Sequence, residues 1–379
     1  MSRALLLLAL MASCKDKNAV ETSDTALPPV LPWHTVLEFS EKTGADGLLA
    51  LEIEVAPGQP SFLISAEAKN EYVGVERVLD PDGKVVLTWE DWWYSDLSLT
   101  EAIFGYGETA SFNWPIRKID GDLTPGTWTV ELFAANSSGT YVDDKLSGTT
   151  WLKDDADLQS GVVPVHLVYA KGVKKAKVSQ AVNQALDRWR EIWAAEGLTL
   201  QETIHESDID RDFGFIETDY YTGSTEIEDY METLPPGEIA VFIGETIAYE
   251  TDTFGIAGGI PGTLDNTPMA WVIISWLAHA SVDAAFDEEE IRIMGETMAH
   301  EVGHYSGLFH PVECPYECIA AWDALDDTPD CADYYDCGDL LGSNVMFPFP
   351  VCPYFDSCTP AGDITPDQAA VWHRYTGTR

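Results

Sequence analysis

The sequence predicts a multidomain chain, an N-terminal all-β sandwich followed by a domain of α/β (α+β) type. Three observations carry this expectation. From residue 33 to about 150, short runs of β-forming residues are separated by turn residues. After about residue 160, strand patterns alternate with helical ones. At roughly 100–200 residues per domain, a chain of 379 residues has room for two domains after any targeting segment.

The first region, 33–155, takes its strands from TVLEF, LLALEIEV, SFLISAEA, KVVLTW and GTWTVELFA. Turns fall at Asp80-Pro81-Asp82-Gly83 and Thr124-Pro125-Gly126. Short strands punctuated this way suggest an antiparallel sandwich. Trp89, Trp92, Trp93 and Tyr94 are either a sugar- or surface-binding patch or part of the core. The polar stretch KDDADLQSG marks the boundary, and the second domain is expected over 162–379.

In that domain VPVHLVYA reads as a strand. Lys177 to Ala195 reads as a helix, because Val178, Val182, Leu186, Trp189 and Trp193 recur at helical spacing. LTLQETI, GEIAVFIG and AWVIISW follow as strands. A second long helix is expected after Asp287, a suitable N-cap, with Glu288 to Glu290 at the positive end of its dipole. Ile291, Met294, Met298 and Val302 form its core stripe. Gly307 is a natural stop, since glycine takes the left-handed conformation that ends a helix.

That helix carries HEVGHYSGLFH, which holds three of the chain's eight histidines. His300 and His304 are one helical turn apart and share a face. After the turn at Gly307, His310 can return to the same point. Three such imidazoles form a zinc site that keeps one position open, the arrangement of catalytic zinc. Glu301 sits beside the first ligand, where it can act as general base on a water at the metal. The expected function is therefore zinc-dependent hydrolysis of peptide bonds in a protein or peptide substrate.

The long motif, with Gly307 and His310 in register, resembles that of the metzincin metalloendopeptidases. Within that group the chain most resembles the pappalysin family. Asn344-Val345-Met346 matches its Asn-x-Met turn, DDTPDC at 326–331 matches its Asp-Thr-Pro element, and CTPAGDITPDQAAVWHRY resembles its C-terminal stretch. The resemblance covers roughly 165–379 and is specific over 297–370. It implies a metzincin-like catalytic domain with Met346 beneath the zinc. It also implies a structural calcium, for which Asp326, Asp327 and Asp330 are candidates, solvated loop carboxylates being the alternative. An extended peptide would lie along an edge strand, and FGIAGGIPG stands where that strand is expected, unless it is simply a loop. Pro348 departs from the pattern, because relatives often carry a tyrosine there; Tyr354 is a candidate substitute. PDGKVVL and LTPGTWTVELFA are similar to the small β-modules that accompany secreted bacterial peptidases.

The formal net charge of −43 excludes nucleic acid as a partner, since such a chain repels phosphates. The acidity otherwise serves solubility or divalent-cation binding. Beyond the N-terminus no apolar run is long enough to span a bilayer. The opening MSRALLLLALMASC resembles a lipoprotein signal peptide, residues 1–13, with Met11 in place of the usual leucine and Cys14 as the lipidation site. An ordinary secretory signal is the alternative. Residues 14–32 then form a polar tether, and the expected location is a bacterial outer membrane or cell surface, reached through the N-terminal lipid. Cys314, Cys318, Cys331, Cys337, Cys352 and Cys358 all follow the histidines. In an exported protein they read as disulfides, with fifteen possible pairings. A different class of function, a surface-binding or adhesion protein on a peptidase-like scaffold, would place its work in the tryptophan cluster and the acidic surface.

Overall fold

The computed structural model describes residues 33–95, 97–280, 285–313, 322–331, 334–352 and 357–379. Cys14, Cys314, Cys318 and Tyr354 lie outside the described residues. The described residues belong to one compact unit.

The first region contains β1 (Trp33–Lys42), β2 (Leu48–Val55), β3 (Phe62–Ala68), β4 (Tyr72–Leu79), β5 (Val85–Thr88), the short α1 (Trp89–Trp93), β6 (Thr109–Trp114), β7 (Gly126–Ala135) and β8 (Lys145–Lys153). They form two antiparallel four-stranded sheets, ordered β1-β8-β3-β6 and β2-β7-β4-β5. β2 shows the cause plainly: Leu49, Leu51, Ile53 and Val55 alternate with exposed residues, so one face is buried. Phe62 of the first sheet lies 6.4 Å from Trp128 of the second, ring to ring.

The second region contains β9 (Gly161–Tyr169), α2 (Ala176–Ala195), β10 (Leu198–Glu206), α3 (Phe215–Thr218), α4 (Thr225–Met231), β11 (Ile239–Gly244), β12 (Gly255–Ala257), β13 (Val272–Ser275), α5 (Glu288–Tyr305), α6 (Tyr334–Leu341) and α7 (Pro366–Arg374). One sheet runs β10-β9-β11-β13-β12. The first four strands are parallel, and β12 pairs antiparallel to β13 at the edge. β11 is buried at every residue, which explains its unbroken apolar sequence IAVFIG.

α5 begins where the sequence places it. The Asp287 carboxylate accepts from the Glu290 amide at 2.9 Å, and Glu290 returns the bond to the Asp287 amide at 2.7 Å. Such a cap contributes about 1 kcal/mol and fixes where the helix starts, hence which way its histidines face. On α5, buried Glu296 is paired with Arg292 at 2.7 Å and with Arg188 of α2 at 3.1 Å. These pairs tie the two long helices together beside the sheet. At its far end Gly307 has φ 105°, the left-handed turn that redirects the chain toward His310.

The two regions meet through the C-terminus. Lys153 at the end of β8 donates to the His373 carbonyl at 2.7 Å, and Asn113 of β6 donates to the Arg374 carbonyl at 3.1 Å. One hydrophobic cluster extends from Phe39 of β1 to Trp372 of α7.

Candidate metal centre

α5 and the turn at Gly307 bring the three predicted histidines together. The Nε2 atoms of His300, His304 and His310 lie 3.0–3.1 Å from one another. Among the described residues this is the one cluster of three or more groups that could hold a metal.

The ring orientations follow from the other nitrogens. His300 Nδ1 donates to the Val345 carbonyl at 2.7 Å, and His304 Nδ1 donates to the Leu308 carbonyl at 2.6 Å. A carbonyl only accepts, so both Nδ1 atoms carry the proton. His310 Nδ1 faces Glu313 Oε1 at 2.6 Å, and a carboxylate imposes the same tautomer. Each Nε2 is thereby left with a lone pair, and the three lone pairs converge. Three neutral rings leave these lone pairs facing one another with no proton between them, whereas one cation bound by all three would satisfy them all. Burial and neighbouring imidazoles hold His300 down to about 3 and His304 well below its ordinary value, so both rings are neutral and ready to ligate. The donor set fits zinc with one open position.

Glu301 points to the same cleft but is not part of the cluster. Its side chain packs on Gly255 of β12, where a Cβ would stand 2.5 Å from Glu301 Cγ. Burial pushes its carboxyl up to about 8. A cation at the histidines favours the ionised form, so a loaded site returns Glu301 toward the carboxylate a base requires.

Met346 is fully buried beneath α5, and its sulfur would lie 2.6 Å from a Cβ added at Gly303. Its turn is fixed by Asn344. The Asn344 side chain accepts from the Met346 amide at 2.8 Å and donates to Gln368 of α7 at 2.8 Å. The turn therefore has two tasks, to floor the helix and to present the Val345 carbonyl to His300.

The cleft is a cavity of about 380 Å³ whose walls include Glu301, the three histidines, Gly255 and Pro348. FGIAGGIPG supplies the edge strand β12, as the rim reading expects. A smaller pocket beside His300 and Glu301 is lined by Phe254, Thr297, Phe347 and Pro348. Two cleft residues lie where the motif does not point. Glu101, from the first region, and Tyr220 both line the cavity. Tyr220 has no sequence mark beyond its type. Glu313 could have been suspected from its position three residues past His310.

Asp326, Asp327 and Asp330 are exposed, and among the described residues they belong to no group of three that could hold a metal. Asp327 instead caps α7, accepting from Thr365 Oγ1 at 2.6 Å and from the Asp367 amide at 2.9 Å. The positive end of a helix is sufficient reason for a carboxylate there. Trp93 and Tyr94 are exposed, while Trp89 and Trp92 are half-buried. Cys331 pairs with Cys337 and Cys352 with Cys358, which fits an oxidising compartment. No helix among the described residues is long and apolar enough to cross a membrane.

No protein-family model matches the chain, and no curated protein matches it. Among solved structures it is similar to part of a chaperone–substrate complex, at 10% identity and TM-score 0.32, covering 65% of this chain and 36% of that one. It is similar to metalloproteinase-II from Bacteroides fragilis, at 12% identity and TM-score 0.32, covering 58% and 54%. It is also similar to archaemetzincin from Methanopyrus kandleri, at 13% identity and TM-score 0.29, covering 56% and 87%. The chain thus spans about a third and about half of the first two.

Proposed function

We propose that the protein is a zinc-dependent endopeptidase with the pappalysin-like arrangement of the metzincins. The observation that carries this reading is the convergence of three Nε2 lone pairs beside Glu301, below an edge strand. Zinc bound at His300, His304 and His310 would acidify water and polarise a peptide carbonyl. The remaining steps belong to the chain. A substrate pairs with the free edge of β12, where Gly255 lets its backbone approach Glu301. Glu301 takes a proton from water as the water oxygen adds to the scissile carbonyl carbon. It then delivers that proton to the departing nitrogen as the C–N bond breaks. Residues 162–379 hold this machinery, and 33–155 serve as an accessory region that reaches the cleft through Glu101.

We further infer export and lipidation at Cys14, on the signal-like N-terminus. Radiolabelled palmitate should enter the wild type but not Cys14→Ser.

The central test is metal analysis with casein cleavage. One zinc per chain is expected, with activity lost to a chelator. Glu301→Ala should retain zinc and lose cleavage; full activity in that variant would refute the assignment.

A further inference from the structure

The cleft continues past the histidines. A second cavity of about 240 Å³ shares Glu101, Tyr220 and Ile260 with it as common wall. The far wall includes Tyr106 and Tyr221, and the near wall is Gly258–Pro261, the continuation of β12. Glu101 is the one carboxylate in this lining, and no basic side chain opposes it. Its position is fixed on both sides. The Glu101 amide donates to the Ile260 carbonyl at 2.9 Å, and Glu101 Oε2 accepts from the Ile260 amide at 3.0 Å. Oε1 has no hydrogen-bond partner among the described residues.

The aromatic rings complete the chemistry. Tyr106 and Tyr221 stand 6.0 Å apart and are about half exposed, at 49% and 54%. Tyr106 is braced by stacking on Phe104 at 5.3 Å. A carboxylate oxygen with open valence beside two tyrosine faces is a receptor for a cation. Burial raises the Glu101 carboxyl to about 7, and a cation at Oε1 would draw it to the ionised form, whereas an acidic ligand would oppose it and an apolar one would leave Oε1 unpaired.

The strand direction says which part of a substrate arrives there. A peptide antiparallel to β12 has its C-terminal side toward Phe254 and its N-terminal side toward Gly258 and Ile260. At about 3.3 Å per residue, the cavity is reached roughly two to four residues before the cleaved bond. We propose that this cavity is a subsite for a lysine or arginine side chain of the substrate on the N-terminal side of the scissile bond, held by Glu101 between Tyr106 and Tyr221. The proposal rests on the peptidase reading and extends it to substrate class.

The experiment has two arms. In the first, the zinc-loaded protein cleaves a peptide library with lysine, arginine, glutamine or norleucine varied at each position before the bond. At one position kcat/KM for the cationic residues should exceed that for glutamine by about tenfold. Glu101→Gln, which keeps an acceptor for Ile260, should bring that ratio near one, and Tyr221→Ala should reduce it several-fold. Cleavage without cationic preference at any such position would overturn the proposal. The second arm needs no catalysis. Glu301→Ala protein is titrated calorimetrically with an acetylated, amidated lysine pentapeptide and its norleucine counterpart. Tighter binding of the lysine peptide, lost on adding Glu101→Gln, supports the subsite even if the first arm shows no cleavage and the peptidase reading fails. Equal binding of the two peptides overturns it.

Discussion

Gly255 and Glu301 touch so closely that no other residue fits at 255 without moving the glutamate. A Cβ there would meet Glu301 Cγ at 2.5 Å and Oε1 at 2.8 Å. β12 thus sets the position of the proposed base as well as the rim of the cleft. Gly255→Ala should lower kcat by about 100-fold, since a displacement near 1 Å costs that much in a positioned reaction. Zinc content should change little, because the clash is with Glu301, which is not one of the three histidine ligands. Unchanged kcat would show that Glu301 has room to act from a shifted position.

Glu313 holds His310 as the Val345 and Leu308 carbonyls hold the other two histidines, but it is the one side chain doing so. Glu313→Gln keeps a group of the same shape and removes the charge that raises ligand basicity. Zinc affinity, measured by competition with a chromophoric chelator, should fall about 10- to 100-fold. Chelation should also lower the melting temperature of the wild type, since zinc binds the folded chain preferentially. Equal zinc affinity for variant and wild type would mean that backbone placement alone orients His310.

How legible the molecule was in its sequence depended on the range of the interaction. α2 and α5 could be read because their apolar residues recur at one helical face, and Asp287 and Gly307 mark the ends of α5 by local chemistry. The ligand set could be read for the same reason, since all three histidines lie within eleven residues. β4 and β8 could not. Each carries a glycine, Gly74 or Gly148, where side chains or backbone of other strands press on the chain, so the strand pattern is broken for a tertiary reason. The capping task of Asp327 and the arrival of Glu101 in the cleft depend on contacts made across the fold, and composition is silent on them.

Tyr220 lines the cleft where Pro348 denies the chain a tyrosine after the Met346 turn. Burial, with Glu101, Tyr221 and Glu301 nearby, raises its hydroxyl far above the ordinary range, so it remains a hydrogen-bond donor at any working pH. A neutral donor facing the cleft can stabilise charge developing on a carbonyl oxygen. Tyr220→Phe should therefore lower kcat by about 100-fold while KM moves less than threefold. A change confined to KM would assign Tyr220 to substrate binding alone.

Asp323 provides a pH test independent of the metal. It is buried, Oδ1 accepts from Thr328 at 2.6 Å, and Oδ2 has no partner among the described residues. Burial outweighs that bond and pushes the carboxyl up from 3.8 to about 7. The folded chain therefore binds this proton more tightly than the unfolded chain does. Stability from the protonated carboxyl is full below pH 3.8 and is lost as pH rises to about 7. Asp323→Asn keeps the acceptor for Thr328 and cannot ionise. Its stability relative to wild type, from urea unfolding of both proteins in the same chelator-containing buffers, should rise steadily from pH 4 to pH 7 and then level. The total rise should be about 2–4 kcal/mol. Comparing the two proteins cancels the titration of the histidines, which they share. A difference that stays flat across this range would mean that Asp323 is ionised in the folded state and paired with a group that offsets its burial.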